Sequence, residues 1–273
     1  MRRNVGVLLL HGMTGSPTEM RPVEKHLVNM GLTVKTPILA GHDKDYLVLR
    51  RTRYEAWLQS ARDALIELQQ ECDQVFVVGL CMGAMLAIVL GHENPDIAGL
   101  GLLSCEVGYY NPNTTKRRYL FPIAFKFPSI LHHFYWTETP PYGLKNTRLQ
   151  NLITSTINES KKGNTTKFGS FRTYGSLFYE IHRLRAHVNR LLPEVHTPAL
   201  LIHSLEDTML TFHNALDVYQ NLGSEDKTVM LMNGTDHMLT MDLRKKEVAA
   251  LVGQFIEERL ETACPDLMTS QIA

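Results

Sequence analysis

The sequence predicts one open, doubly wound and mostly parallel α/β sheet, interrupted by a single insertion. Two patterns predict it. Six short runs that are apolar almost throughout alternate with segments of helical periodicity, as parallel strands joined by covering helices require. The alternation then fails once, between Gly108 and about Leu192, where Pro, Asn, Thr and aromatic residues take over. With 273 residues and 44% hydrophobic content, the chain can bury one sizeable core.

In chain order the strands are "VGVLLLH" from Val5, "LTVKTP" from Leu32, "QVFVVGL" from Gln74, "IAGLGLLS" from Ile97, "PALLIHS" from Pro198 and "KTVMLMN" from Lys227. Their nearly continuous apolar character suits a sheet buried on both faces. Helical periodicity places helices at Pro17 to Met30, Tyr54 to Glu71, Met82 to Glu93, Thr211 to Leu222 and Leu243 to Glu261. The division that follows is a core of residues 1–107 and 193–263, an inserted cap of 108–192, and a frayed tail of 264–273, "CPDLMTSQIA".

Lys+Arg and Asp+Glu both number 28, so no global positive field draws this chain to nucleic acid. The four cysteines, Cys72, Cys81, Cys105 and Cys264, are too few for a disulfide scaffold and form no C-x-x-C pair. They suit a reducing compartment. The apolar run in "MRRNVGVLLLHG" is short for a signal core, predicts no transmembrane segment and leads straight into a motif, so a cytoplasmic protein is expected. No H-E-x-x-H or paired-cysteine spacing points to a metal, and no organic cofactor is implied.

The most informative stretch is "DQVFVVGLCMGAMLAIVLG", from Asp73 to Gly91, where a strand turns through Gly79-Leu80-Cys81-Met82-Gly83 into a helix. A side chain at either glycine would collide with the neighbouring strand or helix, and the tight turn pushes Cys81 out above the sheet. At a helix N-terminus, free N–H groups favour a developing negative charge. A cysteine after an apolar strand also reads as a small buried hydrophobe; the two flanking glycines favour the nucleophile. Asp207 follows "PALLIHS" and His237 follows "KTVMLMN", each just past a strand's C-terminal end, giving the order Cys81, Asp207, His237. Glu206, Asp217 and Asp236 compete as the acid: Asp217 falls within a helix, and Asp236 is too close in sequence to reach round the imidazole. His132, His133, His182 and His187 lie in the irregular segment and read as surface or packing residues, whereas His11 opens a glycine turn. Backbone N–H groups of Met82 and of Met13, in "HGMTGSPTEM", would form an oxyanion hole, with both methionine side chains free to line an acyl pocket. A turn capped by Ser16-Pro17 explains that loop without catalysis as well.

"LLLHGMTGSPTEM", "VVGLCMGAMLA", "PALLIHSLEDTML" and "LMNGTDHML" followed by "VAALVGQFIEERL" resemble the α/β-hydrolase superfamily, in particular its small carboxylesterases and monoglyceride lipases. The likeness covers nearly the whole chain outside the insertion, which falls where that family carries its cap. It implies a catalytic triad at Cys81, Asp207 and His237, with Met13 and Met82 at the oxyanion hole. The departure is cysteine where that family has serine.

A thiol of pKa about 8.5 ionises far more readily than a hydroxyl, so His237 can hold Cys81 as a thiolate. An acyl thioester attacked by that thiolate stays a thioester, which favours thioester substrates and transfer to a second nucleophile as well as hydrolysis. The expectation is an esterase or thioesterase working through an acyl-enzyme. An acyltransferase between thioester carriers, a serine-type carboxylesterase in which Cys81 replaces the native serine, and a non-catalytic binding module share the same residues. The segment from Gly108 to Leu192 carries thirteen Lys/Arg against Glu138, Glu159 and Glu180, and fifteen of the twenty-two aromatics. It reads either as a solvated basic face or as an apolar pocket with a positive mouth for an acidic acyl-carrier protein, CoA or an anionic lipid surface.

Overall fold

The computed structural model describes residues 4–42, 46–108, 125–127, 131–159, 168–169 and 172–262. Its strands are β1 (Val5–Leu10), β2 (Thr33–Lys35), β3 (Gln74–Leu80), β4 (Gly99–Leu103), β5 (Tyr135–Thr137), β6 (Arg172–Tyr174), β7 (Ala199–Ser204) and β8 (Lys227–Met232). Six of them form one sheet in the order β2-β1-β3-β4-β7-β8, every neighbouring pair parallel. All six predicted strands are therefore in the sheet, and the doubly wound architecture is the one observed.

Side-chain alternation divides the core in two. Leu8, Leu10, Val75, Val77, Leu100 and Leu102 pack on one face, while Val7, Leu9, Phe76, Val78, Leu103 and Ile202 pack on the other. Each of the four central strands is thus apolar on both sides of the pleat, and burying each such residue stabilises the fold by about 1.5–3 kcal/mol. At the edge the expectation of two buried faces fails. Met230 and Leu231 of the edge strand β8, whose side chains point to opposite faces, are both exposed.

The helices are α1 (Arg21–Asn29), α2 (Tyr46–Leu49), α3 (Tyr54–Glu71), α4 (Met82–Glu93), α5 (Thr147–Glu159), α6 (Gly175–Leu191), α7 (His213–Asn221) and α8 (Lys245–Thr262). The helix expected from Pro17 starts as a 3-10 turn, Pro17–Met20, capped by the Ser16 hydroxyl. A new helix begins at Arg21, since Pro22 has no N–H to donate and is tolerated only in a first turn.

Between Gly108 and Leu192 the structure is more regular than its composition suggests. α5 and α6 lie there, and β5 and β6 form a separate antiparallel pair. α6 buries Leu177, Ile181, Leu184 and Val188 against the same core as α3 and α4, so His182 and His187 belong to a helix rather than to irregular chain. Its basic residues are partly answered by acids outside the segment: Arg183 pairs with Glu55, Arg185 with Glu106 and Lys145 with Glu206. Tyr109, Tyr110, Lys116, Arg117, Arg118, Lys161, Lys162, Lys167, Cys264 and the tail 264–273 lie outside the described residues. No helix among the described residues is long and apolar enough to cross a membrane.

Candidate active site

A parallel sheet puts all its strand C-termini at one edge, and the strand order reverses at β1, with β2 on one side and β3 on the other. Cys81 stands there, between β3 and α4, with φ +55° and a backbone N–H bonded to Leu103 O at 2.8 Å. Such a φ is strained for a non-glycine residue and is imposed by the turn. A Cβ on Gly79 would lie 2.1 Å from Gly83 backbone, and one on Gly83 would lie 2.2 Å from Leu10 O. Cys81 is partly exposed, whereas Cys72 and Cys105 are buried. Burial, reinforced by the nearby Cys81, pushes the Cys105 thiol far up.

His237 Nδ1 donates to Asp207 Oδ2 at 2.8 Å, and His237 and Cys81 line the same cavity. Burial works against protonation of His237, yet the charges of Asp207 and Cys81 outweigh it and hold its pKa well above the ordinary value. Burial likewise opposes ionisation of Asp207, but His237 and His203 keep its carboxyl well below the usual range. Asp207 Oδ1 accepts the N–H groups of Met209 at 2.8 Å and Leu210 at 2.6 Å.

The competing acids have other employment. Asp236 accepts Thr208 N and His237 N, both at 2.7 Å, tying the acid loop to the histidine loop without touching the imidazole. Glu206 pairs with Lys145 and accepts Gly234 N, and Asp217 lies on α7. Asp242, a residue sequence reasoning passed over, is fully buried and accepts Asp236 N, Lys145 N and Asn146 N, fastening the histidine loop to the start of α5.

Among the described residues, neither Met13 N nor Met82 N has an internal acceptor. The Met13 carbonyl is held by His42 Nε2 at 2.6 Å, and Met13 lines the cavity. Burial and His42 lower the His11 pKa to about 3, so that ring is neutral and accepts Leu39 N at 3.3 Å. The methionine side chains separate: Met13 lines the cavity, while Met82 is fully buried in the core. Met82 points inward because α4 is buried along its whole apolar length.

The cavity over Cys81 has a volume of about 100 Å³ and is lined by Met13, Leu144, Ile153, Phe168, Met209 and Met238 among others. Larger grooves of about 480 and 520 Å³ run along α6 among arginines, away from Cys81. Two acids outside the predicted set of site residues also face the small cavity. Glu138 Oε1 accepts the hydroxyls of Thr14 at 3.2 Å and Thr173 at 3.1 Å, and burial raises its pKa. Glu19 Oε2 accepts Gly12 N at 2.9 Å and fills the space beside Gly15, where a Cβ would meet it at 2.1 Å.

Burial, aided by Glu138, raises the Glu19 pKa from 4.5 to about 7 against the opposing Gly12 hydrogen bond. The folded state then holds the proton more tightly than the unfolded chain. Stability is fully present below about pH 4.5 and falls by about 3 kcal/mol as pH rises through 7. Glu19→Gln should escape that loss, so its melting temperature relative to the parent should climb between pH 5 and 8. A constant offset across that range would count against an ionising Glu19.

A family model described as serine aminopeptidase, S33 (Hydrolase_4) matches residues 3–244. The thermostable monoacylglycerol lipase of Bacillus sp. strain H-257 is 28% identical over 239 residues, covering 87% of this chain and 84% of that protein. A solved structure of the metagenome-derived lipolytic enzymes LipS and LipT superposes with a TM-score of 0.75 at 24% identity, covering 94% of each chain. The monoacylglycerol lipase of Paleococcus ferrophilus superposes with a TM-score of 0.74 at 17% identity, over 93% of this chain and 94% of that one. The sheet and its flanking helices are those of the α/β-hydrolase fold.

Proposed function

Because the chain belongs to the serine aminopeptidase S33 (Hydrolase_4) family of α/β hydrolases, we propose that it is an acyl hydrolase working through a Cys81–His237–Asp207 triad. The observation that carries this reading is the conjunction at one point of a strained, partly exposed Cys81, a buried His237–Asp207 pair and two unbonded N–H groups. The raised basicity of His237 suits it to take the proton of Cys81 and leave a thiolate beside the imidazolium. That thiolate would attack the acyl carbonyl, and the oxyanion would accept Met13 N–H and Met82 N–H. His237 then gives its proton to the leaving alcohol or thiol, and takes one from the water that releases the acyl group from Cys81.

The substrate is an acyl ester or thioester, and the apolar lining fits the acyl chain. Similarity to monoacylglycerol lipases supports an oxygen ester of a small alcohol. Residues 108–192 would act as the cap, a reading supported by Glu138, Tyr142, Leu144 and Ile153 in the cavity wall. A second reading follows from the family's serine chemistry: an ordinary esterase in which Cys81 replaces serine.

Intact-mass detection of an acyl group on Cys81, across matched esters and thioesters, tests both. The proposal expects an acyl-enzyme, and a Cys81→Ser variant that loses thioester turnover at least tenfold, equivalent to about 1.4 kcal/mol. A serine variant much faster on simple esters would establish the second reading instead. Turnover with and without an added thiol acceptor separates hydrolysis from transfer to a carrier protein or CoA.

A further inference from the structure

The geometry points to His203 as a positioning residue that shares the Asp207 carboxylate with His237, extending the proposed triad by a second imidazole. His203 lies in β7 between Ile202 and Ser204 and is fully buried. Its Nε2 is 3.1 Å from Asp207 Oδ2 and 3.3 Å from Leu210 O. Both neighbours are acceptors, so Nε2 carries the proton. Its Nδ1 is buried and has no hydrogen-bond partner among the described residues. A second N–H there would have no acceptor among the described residues, so the tautomer with its proton on Nε2 fits the site.

Asp207 consequently has four polar neighbours, two on each oxygen: Met209 N and Leu210 N donate to Oδ1, His237 Nδ1 donates to Oδ2, and His203 Nε2, which also faces Leu210 O, lies 3.1 Å from Oδ2. This complement fixes the carboxylate plane and leaves no oxygen lone pair seeking water. It also divides the charge of Oδ2 between two rings, which moderates how strongly Asp207 holds a proton on His237. A residue needed only to fill β7 could be apolar like Leu201 and Ile202 beside it; a buried imidazole aimed at the acid has a polar task.

The inference rests on the functional reading above, but its test does not require activity. The titratable groups facing His237 are Asp207, Cys81, Glu19 and Glu138, and all are retained in the variants used. In the full chain, the imidazole titration of His237 is followed by NMR in the parent, His203→Leu and His203→Gln. Loss of the second donor in His203→Leu should move that titration to higher pH. Turnover should fall by about tenfold, equivalent to about 1.4 kcal/mol, with KM little changed. His203→Gln supplies an N–H again and should restore both. An unmoved titration in folded His203→Leu, or a glutamine variant as impaired as the leucine one, would overturn the assignment. If the leucine variant does not fold, the ¹⁵N shifts of His203 in the parent decide: a proton on Nε2 supports the inference, a proton on Nδ1 ends it. A shifted titration without any acyl-enzyme on Cys81 would sink the functional reading and leave the role of His203 standing.

Discussion

Cys81→Ala should lower turnover of an activated acyl ester or thioester by on the order of 10⁶-fold, the loss expected when a nucleophile that works as a unit with its base is removed. Alanine can hold the same strained φ of +55° no worse than cysteine does, so the elbow should keep its shape. The proposed oxyanion donors are backbone groups of Met13 and Met82, so the change leaves them in place. Substrate binding should therefore be nearly unchanged while the acyl-enzyme mass disappears. Residual turnover within tenfold of the parent would mean that Cys81 is not the nucleophile.

Asp207→Asn should cost on the order of 10⁴-fold in turnover with the fold intact. The reason lies in the two oxygens. Oδ1 accepts Met209 N and Leu210 N, so the amide of asparagine must keep its oxygen there and turn its NH₂ toward His237. Nδ1 of His237 would then be an acceptor, and the ring proton would move to the nitrogen that should take one from Cys81. Asp236→Asn, by contrast, loosens the contacts to Thr208 and to the His237 backbone but leaves the imidazole partner in place. Should Asp236→Asn prove the more damaging of the two, the acid has been misassigned.

The candidate triad was legible because each proposed member stands at a junction that local sequence marks. Cys81 is framed by Gly79 and Gly83, and Asp207 and His237 each follow an apolar strand by a few residues. The side-chain direction of Met82 was not legible, since nothing in a helix that is apolar all round tells which way one methionine points. The helical character of Thr147–Glu159 and Gly175–Leu191 was hidden by aromatic, asparagine and threonine residues that also suit loops. His203 did leave a trace, as one polar residue inside an apolar strand, and that trace is worth pursuing whenever a strand ends at an acid.

Sequence alone determined what depends on neighbouring residues: the alternation of strand and helix, the tight elbow and the chain order of the proposed nucleophile, acid and histidine. Periodicity and turn chemistry are local, so they can be read along the chain. Only the tertiary structure decided which carboxylates meet at the cavity. Glu138 reaches Thr14 across 124 residues, and Lys145 reaches Asp242 across 97. Those bonds exist because the sheet brings its strand ends together at one edge and α5 and α6 fold back toward it. Burial then raises the pKa of Glu19 and Glu138 and orders Asp207 between two imidazoles, effects set by distance in space that no spacing in the sequence encodes.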